Sequence, residues 1–333
     1  MSLNNLTSQY LDAIEEELHR AVLRSEGPHL SHYDYMMAYH LGWEGDGAGR
    51  EARGKRIRPL LVLLSNASAG GNWQAALPAA AAVELVHNFS LIHDDVEDNS
   101  PTRRGRASLW ALWGIPQAIN AGDGLFAIAH LAMDRLRKRG VVYERILDVR
   151  AIFDRTCLTL TQGQYLDMSF ESRLSTSVDE YMTMISGKTA GLISASAAIG
   201  ATLAGSAAVV HYGTFGRELG LAFQIQDDIL GIWGDEALTG KSAESDIATK
   251  KKSLPVVYAL GQSERLRTLY AAPHMDVPAA IAELEAAGAA RFAEQAARQH
   301  HEQAMQALQA SGASGEAGQA LFELAESLLG RAA

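Results

Sequence analysis

Residues 84–105, ELVHNFSLIHDDVEDNSPTRRG, decide the reading of this chain. The first half is a helix that is apolar almost all the way round: Ala79 to Val83 precede it, and Leu85, Val86, Phe89, Leu91 and Ile92 continue it. Polar groups interrupt the run on one stripe. Glu84, His87, Asp94 and Asp98 fall at spacings of three, four and seven, which bring side chains to one helical face. Carboxylates in so apolar a setting are costly unless a cation answers them. Arg103 and Arg104 follow within a single loop. Acid and base this close, at the mouth of an apolar helix, point to metal-bridged phosphate.

The whole chain bounds that idea. Its 333 residues are 47% apolar and 20% charged, enough for a large core and too apolar for disorder. With only 8 prolines and few alternating strand patterns, the fold class expected is all-α. A net charge of −10 argues against nucleic acid as a partner, because phosphate-backbone binding needs a basic surface. Cys157 is the only cysteine, so no internal disulfide or cysteine-based zinc site is possible, and a cytoplasmic location is expected. The first 25 residues lack a signal peptide's apolar block, and no run of 18 apolar residues occurs, so no transmembrane segment is expected.

Upstream, Leu6, Tyr10, Ile14, Leu18 and Val22 repeat every four residues and predict a helix over 4–24. A short helix over about 31–40 and a glycine-rich loop follow. In GKRIRP, Lys55, Arg56 and Arg58 lead into an apolar helix, with Pro59 placed at its first position. Basic groups there oppose the helix dipole unless an anion sits among them; a solvated cap is the plainer alternative.

Downstream, a helix resumes near Ser108, and further helices fit 117–138 and 142–168. The last ends in GQYLD, where Gln164 and Asp167 can share a face. A helix from 178 breaks at Gly187. There GKTAG is no phosphate-binding loop, because Met182 stands where that motif needs glycine and no strand precedes it. Lys188 reads instead as a single cation at a helix break. A second acidic helix spans 208–233, with Arg217, Gln224 and Asp227 on one stripe and Gly231 one turn further on. A polar loop, 234–255, carries Lys241 and the run Lys250–Lys252. The remainder is Ala-rich helix with turns near 272–277 and 311–316, assigned to packing. The two acidic helices, each followed by a basic loop, form a weak internal repeat within one domain spanning 1–333, whose motif-bearing core is about 54–260.

Two carboxylate clusters with basic loops suit a diphosphate clamped through Mg²⁺, a hard cation that shares its shell with substrate phosphates. The apolar helices beneath call for a greasy organic group. Departure of diphosphate from such an allylic group leaves a carbocation, which needs dry surroundings and oxygen dipoles.

In GKRIRP, DDVED with RRG, GQYLD, GKT, FQIQDD and GK…SDI…K.SLP, taken in order over about 200 residues from Lys55 to Pro255, the chain resembles the trans-polyprenyl diphosphate synthases. The resemblance implies an isoprenoid synthase helical bundle around a central apolar cavity, working as a homodimer with about three Mg²⁺ per active site. It implies head-to-tail condensation of isopentenyl diphosphate with an allylic diphosphate by ionisation, attack and proton loss. Asp94, Asp98 and Asp227 match metal ligands. Asp95 and Asp228, off the stripes, match supporting groups. Lys188, Lys241, Lys251 and Arg103 match the allylic-diphosphate site, and Lys55, Arg58, His87 and Arg104 the isopentenyl site. Thr189 and Gln224 match oxygen groups near the developing cation. The family's DDxxD pattern is broken at Gly231.

Product length is read from Phe89, five residues before Asp94 and about 7.5 Å along the axis at about 1.5 Å per residue. In the resembled family an aromatic there, with small Ser90 four back, implies a C20 product, geranylgeranyl diphosphate, with C15 or longer products as alternatives. Phe89 equally reads as core. A terpene cyclase would not need Lys55, Arg58, His87 and Arg104. A His-Asp phosphohydrolase would use His87 and His93-Asp94 but leaves the second acidic helix unexplained. A non-catalytic partner subunit has only Gly231 in its favour.

Overall fold

The computed structural model describes residues 3–22, 28–171, 173, 175–234 and 245–329. Among them the chain is almost wholly helical, and its strands are β1 (Thr102–Arg103) and β2 (Arg106–Ala107). They fall into two compact units. The first takes the chain up to Phe153, with Ser196–Val209 and Ala313–Ala320; the second takes Asp154–Ala195, Val210–Gly312 and the chain from Leu321.

The first unit is arranged on one buried helix. The predicted four-residue repeat forms α1 (Leu3–Val22), and all five of its apolar positions are buried; each such burial is worth about 1.5–3 kcal/mol before entropy. After α2 (Ser31–His40), α3 (Arg50–Arg53) and α4 (Ile57–Ser68) comes α5 (Trp73–Glu97). Asn72 caps α5 by accepting from the Gln74 N–H. Every residue from Ala79 to Val86 is buried, because α1, α4 and α7 pack against α5. Among the described residues, α5 alone is long and apolar enough to cross a membrane, but 72% of its apolar window lies inside the protein, as in a core helix. α6 (Leu109–Trp113), α7 (Ile115–Met133) and α8 (Tyr143–Glu171) follow. After Met133 the chain tightens into a 3₁₀ stretch, Asp134–Arg139, where one continuous helix was expected.

The start of α4 also differs from expectation. Ile57 is its first residue, and Pro59 is third. Arg56 precedes it in a left-handed conformation, φ 49°. Its guanidinium is drawn into the core, donating to Glu15 at 2.7 Å, Glu84 at 2.8 Å and the Leu41 carbonyl. Arg56 is therefore the buried cation that answers Glu84 of the opening stripe, and it is not presented to an anion.

In the second unit, α9 (Val178–Ile185) opens with a full capping box between Ser177 and Glu180. The predicted break at Gly187 is a π-helical turn, Ser186–Ala190, before α10 (Gly191–Ala204). The long α11 (Val209–Trp233) follows. Beyond it lie α12 (Ser245–Ala248), α13 (Leu254–Leu260), α14 (Glu264–Ala271), α15 (Val277–Ala286), α16 (Ala289–Ala310) and α17 (Gly315–Leu329). The expected turns near 272–277 and 311–316 are present. A further break comes before α14, where Ser263 caps the new helix, and another before α16, at left-handed Gly288. Two apolar clusters hold the unit together. Tyr181, Ile185, Leu221, Ile225 and Val257 lie in one, and Ile232, Ile247, Leu260 and Leu284 in the other.

Gly163 fixes where the π turn can sit. A Cβ on it would overlap the Lys188 amide nitrogen and lie 2.8 Å from Gly187 C. Gly163→Ala should lower stability by about 1–3 kcal/mol through this overpacking, measured by urea denaturation; an unchanged midpoint would show that the contact is not close.

Candidate active site

Each unit carries one aspartate pair, and in each pair the second member is sunk into the fold. In the first unit, Asp94 is partly exposed near the end of α5 and Asp98 caps it, exposed. Asp95 between them is buried, and its Oδ1 accepts from both Nε (2.8 Å) and Nη2 (2.7 Å) of Arg103, while its Oδ2 is buried without a hydrogen-bond partner among the described residues. Burial raises the Asp95 pKa, and Arg103 only partly offsets it. Arg103 was expected to face a diphosphate; in the structure it is already engaged by Asp95.

The RRG loop is a β-hairpin, which the sequence did not reveal because its strands have two residues each. Arg104 and Gly105 form the turn, both with positive φ (53° and 73°), as a type I′ turn requires. Arg104 donates to the Ala52 carbonyl at 3.0 Å. It passes so close to Gly54 that a Cβ there would lie 2.7 Å from its Cζ, which explains the glycine that opens GKRIRP. Arg106, overlooked in the sequence, ties the hairpin to α2 through the Tyr39 carbonyl and to the glycine-rich loop through the carbonyls of Glu44 and Asp46.

Arg58 Nη1 lies 3.2 Å from His87 Nε2. A guanidinium can only donate, so this nitrogen accepts and the ring is neutral. Burial, with Arg58, Arg104, Arg103 and Arg56 nearby, holds the His87 pKa well below its ordinary value. The structure thus gathers the predicted Arg58, His87, Arg103 and Arg104 into one positive field, suited to an anion. Lys55 is exposed beside them in sequence.

Phe89 belongs to an aromatic column. Its ring centroid is 4.7 Å from His93 and 4.9 Å from Phe126; His130 follows at 4.6 Å and Phe153 at 5.1 Å. No spacing pattern could have linked the members on α7 and α8 to Phe89. His93 packs edge-on against Phe89, and its Nε2 lies 3.4 Å from the Ile119 carbonyl and 3.7 Å from Asp123 Oδ1. Ser90 turns its hydroxyl back to the His87 carbonyl at 2.8 Å.

The second unit repeats the arrangement on α11. Asp227 is exposed and Asp228 wholly buried. Asp228 accepts from the Tyr181 hydroxyl, from the Leu254 N–H at 3.0 Å and from Gln224 Nε2 at 3.1 Å. Thr189, in the π turn, donates to Gln224 Oε1 at 2.8 Å. Thr189 and Gln224, assigned together from sequence, are in direct contact, and buried Asp228 orients them. Lys188 pairs with Asp167 at 2.5 Å, an engagement like that of Arg103. Arg217 turns to Glu218 at 2.8 Å and takes no part in the stripe proposed for it.

The lysine run divides its labour. Lys250 caps α14 through the Tyr270 and Ala272 carbonyls, and Lys252 binds the Phe170, Glu171 and Arg173 carbonyls. Lys251 alone points to carboxylates, 3.5 Å from Asp246. Burial by itself would lower the Lys251 pKa, but Asp228, Asp246, Asp227 and Asp167 hold it above its ordinary value. Lys241 lies outside the described residues.

Backbone strain marks the same segments. Among the described residues, the non-glycine positions with positive φ are Arg56, Asn99, Arg104 and Lys250. Each lies within or directly beside a motif singled out in the sequence. Such conformations cost roughly 1–3 kcal/mol each and cluster at functional sites.

Burial pushes the Asp228 pKa up from 3.8 to about 6, against the lowering effect of Lys251, Leu254 N–H, Tyr181 and Gln224. The folded chain therefore holds a proton between those values that the unfolded chain releases. The associated stability is complete below about pH 4 and lost as pH rises through about 6. Relative to Asp228→Asn, the protein should lose on the order of 3 kcal/mol between about pH 4 and pH 7, read from urea denaturation at each pH. A difference that stays flat would show an ordinary aspartate.

Residues 49–287 match the family model for polyprenyl synthetase. The chain is 38% identical to a (2E,6E)-farnesyl diphosphate synthase of Mycobacterium bovis, over 96% of this chain and 92% of that one. It is 40% identical to a geranylgeranyl diphosphate synthase of Mycobacterium tuberculosis, over 86% and 83%. Its fold matches the crystal structure of a polyprenyl synthetase from Streptomyces coelicolor with a TM-score of 0.88 at 35% identity, covering 98% of this chain and all of that one. The chain belongs to the polyprenyl synthetase family, the trans-polyprenyl diphosphate synthases, and is a prenyl-chain-elongating enzyme.

Proposed function

We propose that this enzyme joins isopentenyl diphosphate head to tail to allylic diphosphates and stops at geranylgeranyl diphosphate, C20. The observation that carries the length is the aromatic column. An apolar chain growing along α5 from Asp94 meets Phe89 after about 7.5 Å, and Phe126 backs that ring at 4.9 Å. Small Ser90 leaves room beside it. A farnesyl product, C15, is the second reading, favoured by the farnesyl diphosphate synthase among the relatives.

Asp94, Asp98 and Asp227 are the proposed Mg²⁺ ligands. Their donor chemistry fits: each is a hard oxygen donor that is partly or fully exposed, and the neighbours Asp95 and Asp228 of Asp94 and Asp227 are tied down. Among the described residues no three or more His, Cys, Asp or Glu side chains are gathered to hold a metal. Mg²⁺ commonly completes its shell with substrate phosphates and water. Bound there, Mg²⁺ would supply Lewis-acid help to the departing diphosphate. Lys188, Lys251, Lys241 and Arg103 are assigned to the allylic diphosphate. Lys188 and Arg103 would exchange or share their present carboxylate partners on binding. Lys55, Arg58, His87 and Arg104 are assigned to isopentenyl diphosphate, with neutral His87 contributing a hydrogen bond and no charge. Thr189 and Gln224 would turn oxygen toward the cation, and the apolar surroundings would exclude water. The released diphosphate would take the final proton.

The same proposal covers one functional domain, a cytoplasmic location and a homodimer. The exposed Ile115, Ile119 and Leu131 of α7 are the apolar surface offered to the second copy.

Purified protein given Mg²⁺, labelled isopentenyl diphosphate and a C5–C15 allylic diphosphate should release diphosphate and form a C20 product; no release refutes the proposal. Phe89→Ala should shift the product distribution to chains longer than C20, measured by chromatography of the hydrolysed products. An unchanged distribution would return Phe89 to the role of core packing.

A further inference from the structure

Gly231 breaks the acidic pattern of α11, yet the space beside it is occupied. It lies one turn after Asp227, where side chains share a helical face. A Cβ at 231 would overlap Asp246 Oδ2 and lie 2.7 Å from Asp246 Cγ. A carboxylate from another element, α12, therefore fills the place that a side chain at 231 would take. Asp246 is only 7% exposed. Its Oδ2 lies 3.5 Å from Lys251 Nζ, and Lys251 also interacts with Asp227.

The segment that delivers Asp246 is closed on itself. The Asp246 carbonyl accepts from the Lys251 N–H at 2.8 Å, and the Ile247 carbonyl accepts from the Lys250 N–H at 3.0 Å. Lys250 takes a left-handed conformation, φ 58°, to make this turn, and its ammonium is anchored on the Tyr270 and Ala272 carbonyls. The buried Ile247 side chain pins the same turn into an apolar cluster. Asp246 and Lys251 are thus held as one unit over the face of α11 that carries Asp227, and only a glycine at 231 leaves room for them.

We propose that Asp246 is a positioning residue that stands in for the carboxylate missing at Gly231, holding Lys251 and completing with Asp227 the acidic face that receives the metal-bound diphosphate. This rests on the reading of Asp227 as a metal ligand given above. It makes Gly231 and Asp246 a matched pair, in which a carboxylate is required at one position and space at the other.

The test follows Mn²⁺ binding to the full chain by electron paramagnetic resonance, with inorganic diphosphate present and no turnover. Thermal melting is recorded for every variant. Asp246→Ala should weaken Mn²⁺ binding by about tenfold or more, the scale of losses when groups supporting a metal ligand are removed. Gly231→Asp alone should also weaken it, by displacing Asp246 and adding like charge. The double variant Gly231→Asp, Asp246→Ala should recover most of the affinity, because it moves the carboxylate and opens the space together. Asp246→Asn keeps the side-chain volume and carries the test if the alanine variant does not fold. Wild-type affinity in Asp246→Ala or Asp246→Asn overturns the proposal, as does a folded double variant no better than Asp246→Ala. A wild-type chain that binds no Mn²⁺ with diphosphate overturns the metal-site reading, and this proposal with it.

Discussion

A carboxylate taken out of water must be answered inside the protein, and both aspartate pairs are built around that requirement. Asp95 is answered at one oxygen, by Arg103 Nε and Nη2; Asp228 is answered by Tyr181, Gln224 and the Leu254 N–H. These buried members do structural work. Asp95 fixes the hairpin that carries Arg103 and Arg104. Asp228 joins α9, α11 and the start of α13, and through Gln224 it orients Thr189. Their neighbours Asp94 and Asp227 remain accessible because the backbone alternates the pair between core and surface. The chemistry assigned to the exposed aspartates depends on the buried ones staying bonded.

The same logic governs the basic residues. Arg56 answers Glu84 and Glu15 from within the core and accepts a left-handed backbone to do so. Lys250 and Lys252 close helix ends through carbonyls, where a cation also meets the negative end of the helix dipole. What remains for a ligand is a smaller set than the sequence's basic runs contain. Arg58 beside a neutral His87 and Lys251 among carboxylates are its best-defined members. Positive φ at Arg56, Asn99, Arg104 and Lys250 shows that the fold tolerates strain to place them.

Much of this was legible in the sequence. The four-residue repeat of α1, the apolar run of α5 and the break at Gly187 each appear where periodicity placed them. The stripe through Gln224 carried Asp227 and left Asp228 off it; that Asp227 is exposed and Asp228 buried is visible only in the structure. What was not legible depends on partners distant in the chain. Nothing near Arg56 announces Glu15 as its partner, and nothing in the lysine run distinguishes Lys251 from its neighbours. Phe89 could be located by counting back from Asp94, but the rings behind it, Phe126, His130 and Phe153, are brought there only by packing. Gly231 looked like a loss because sequence shows a missing carboxylate and cannot show another one lying over it.

Under the proposed function, one aspartate of each pair serves the fold and the other meets the metal-bound diphosphate. The most direct measurement is the anomalous diffraction of crystals grown with Mn²⁺ and an unreactive allylic diphosphate analogue. This division of labour places metal on Asp94, Asp98 and Asp227, with Asp95 still bonded to Arg103 and Asp228 to Tyr181. Metal coordinated by Asp95 or Asp228, or none at Asp227, would contradict it.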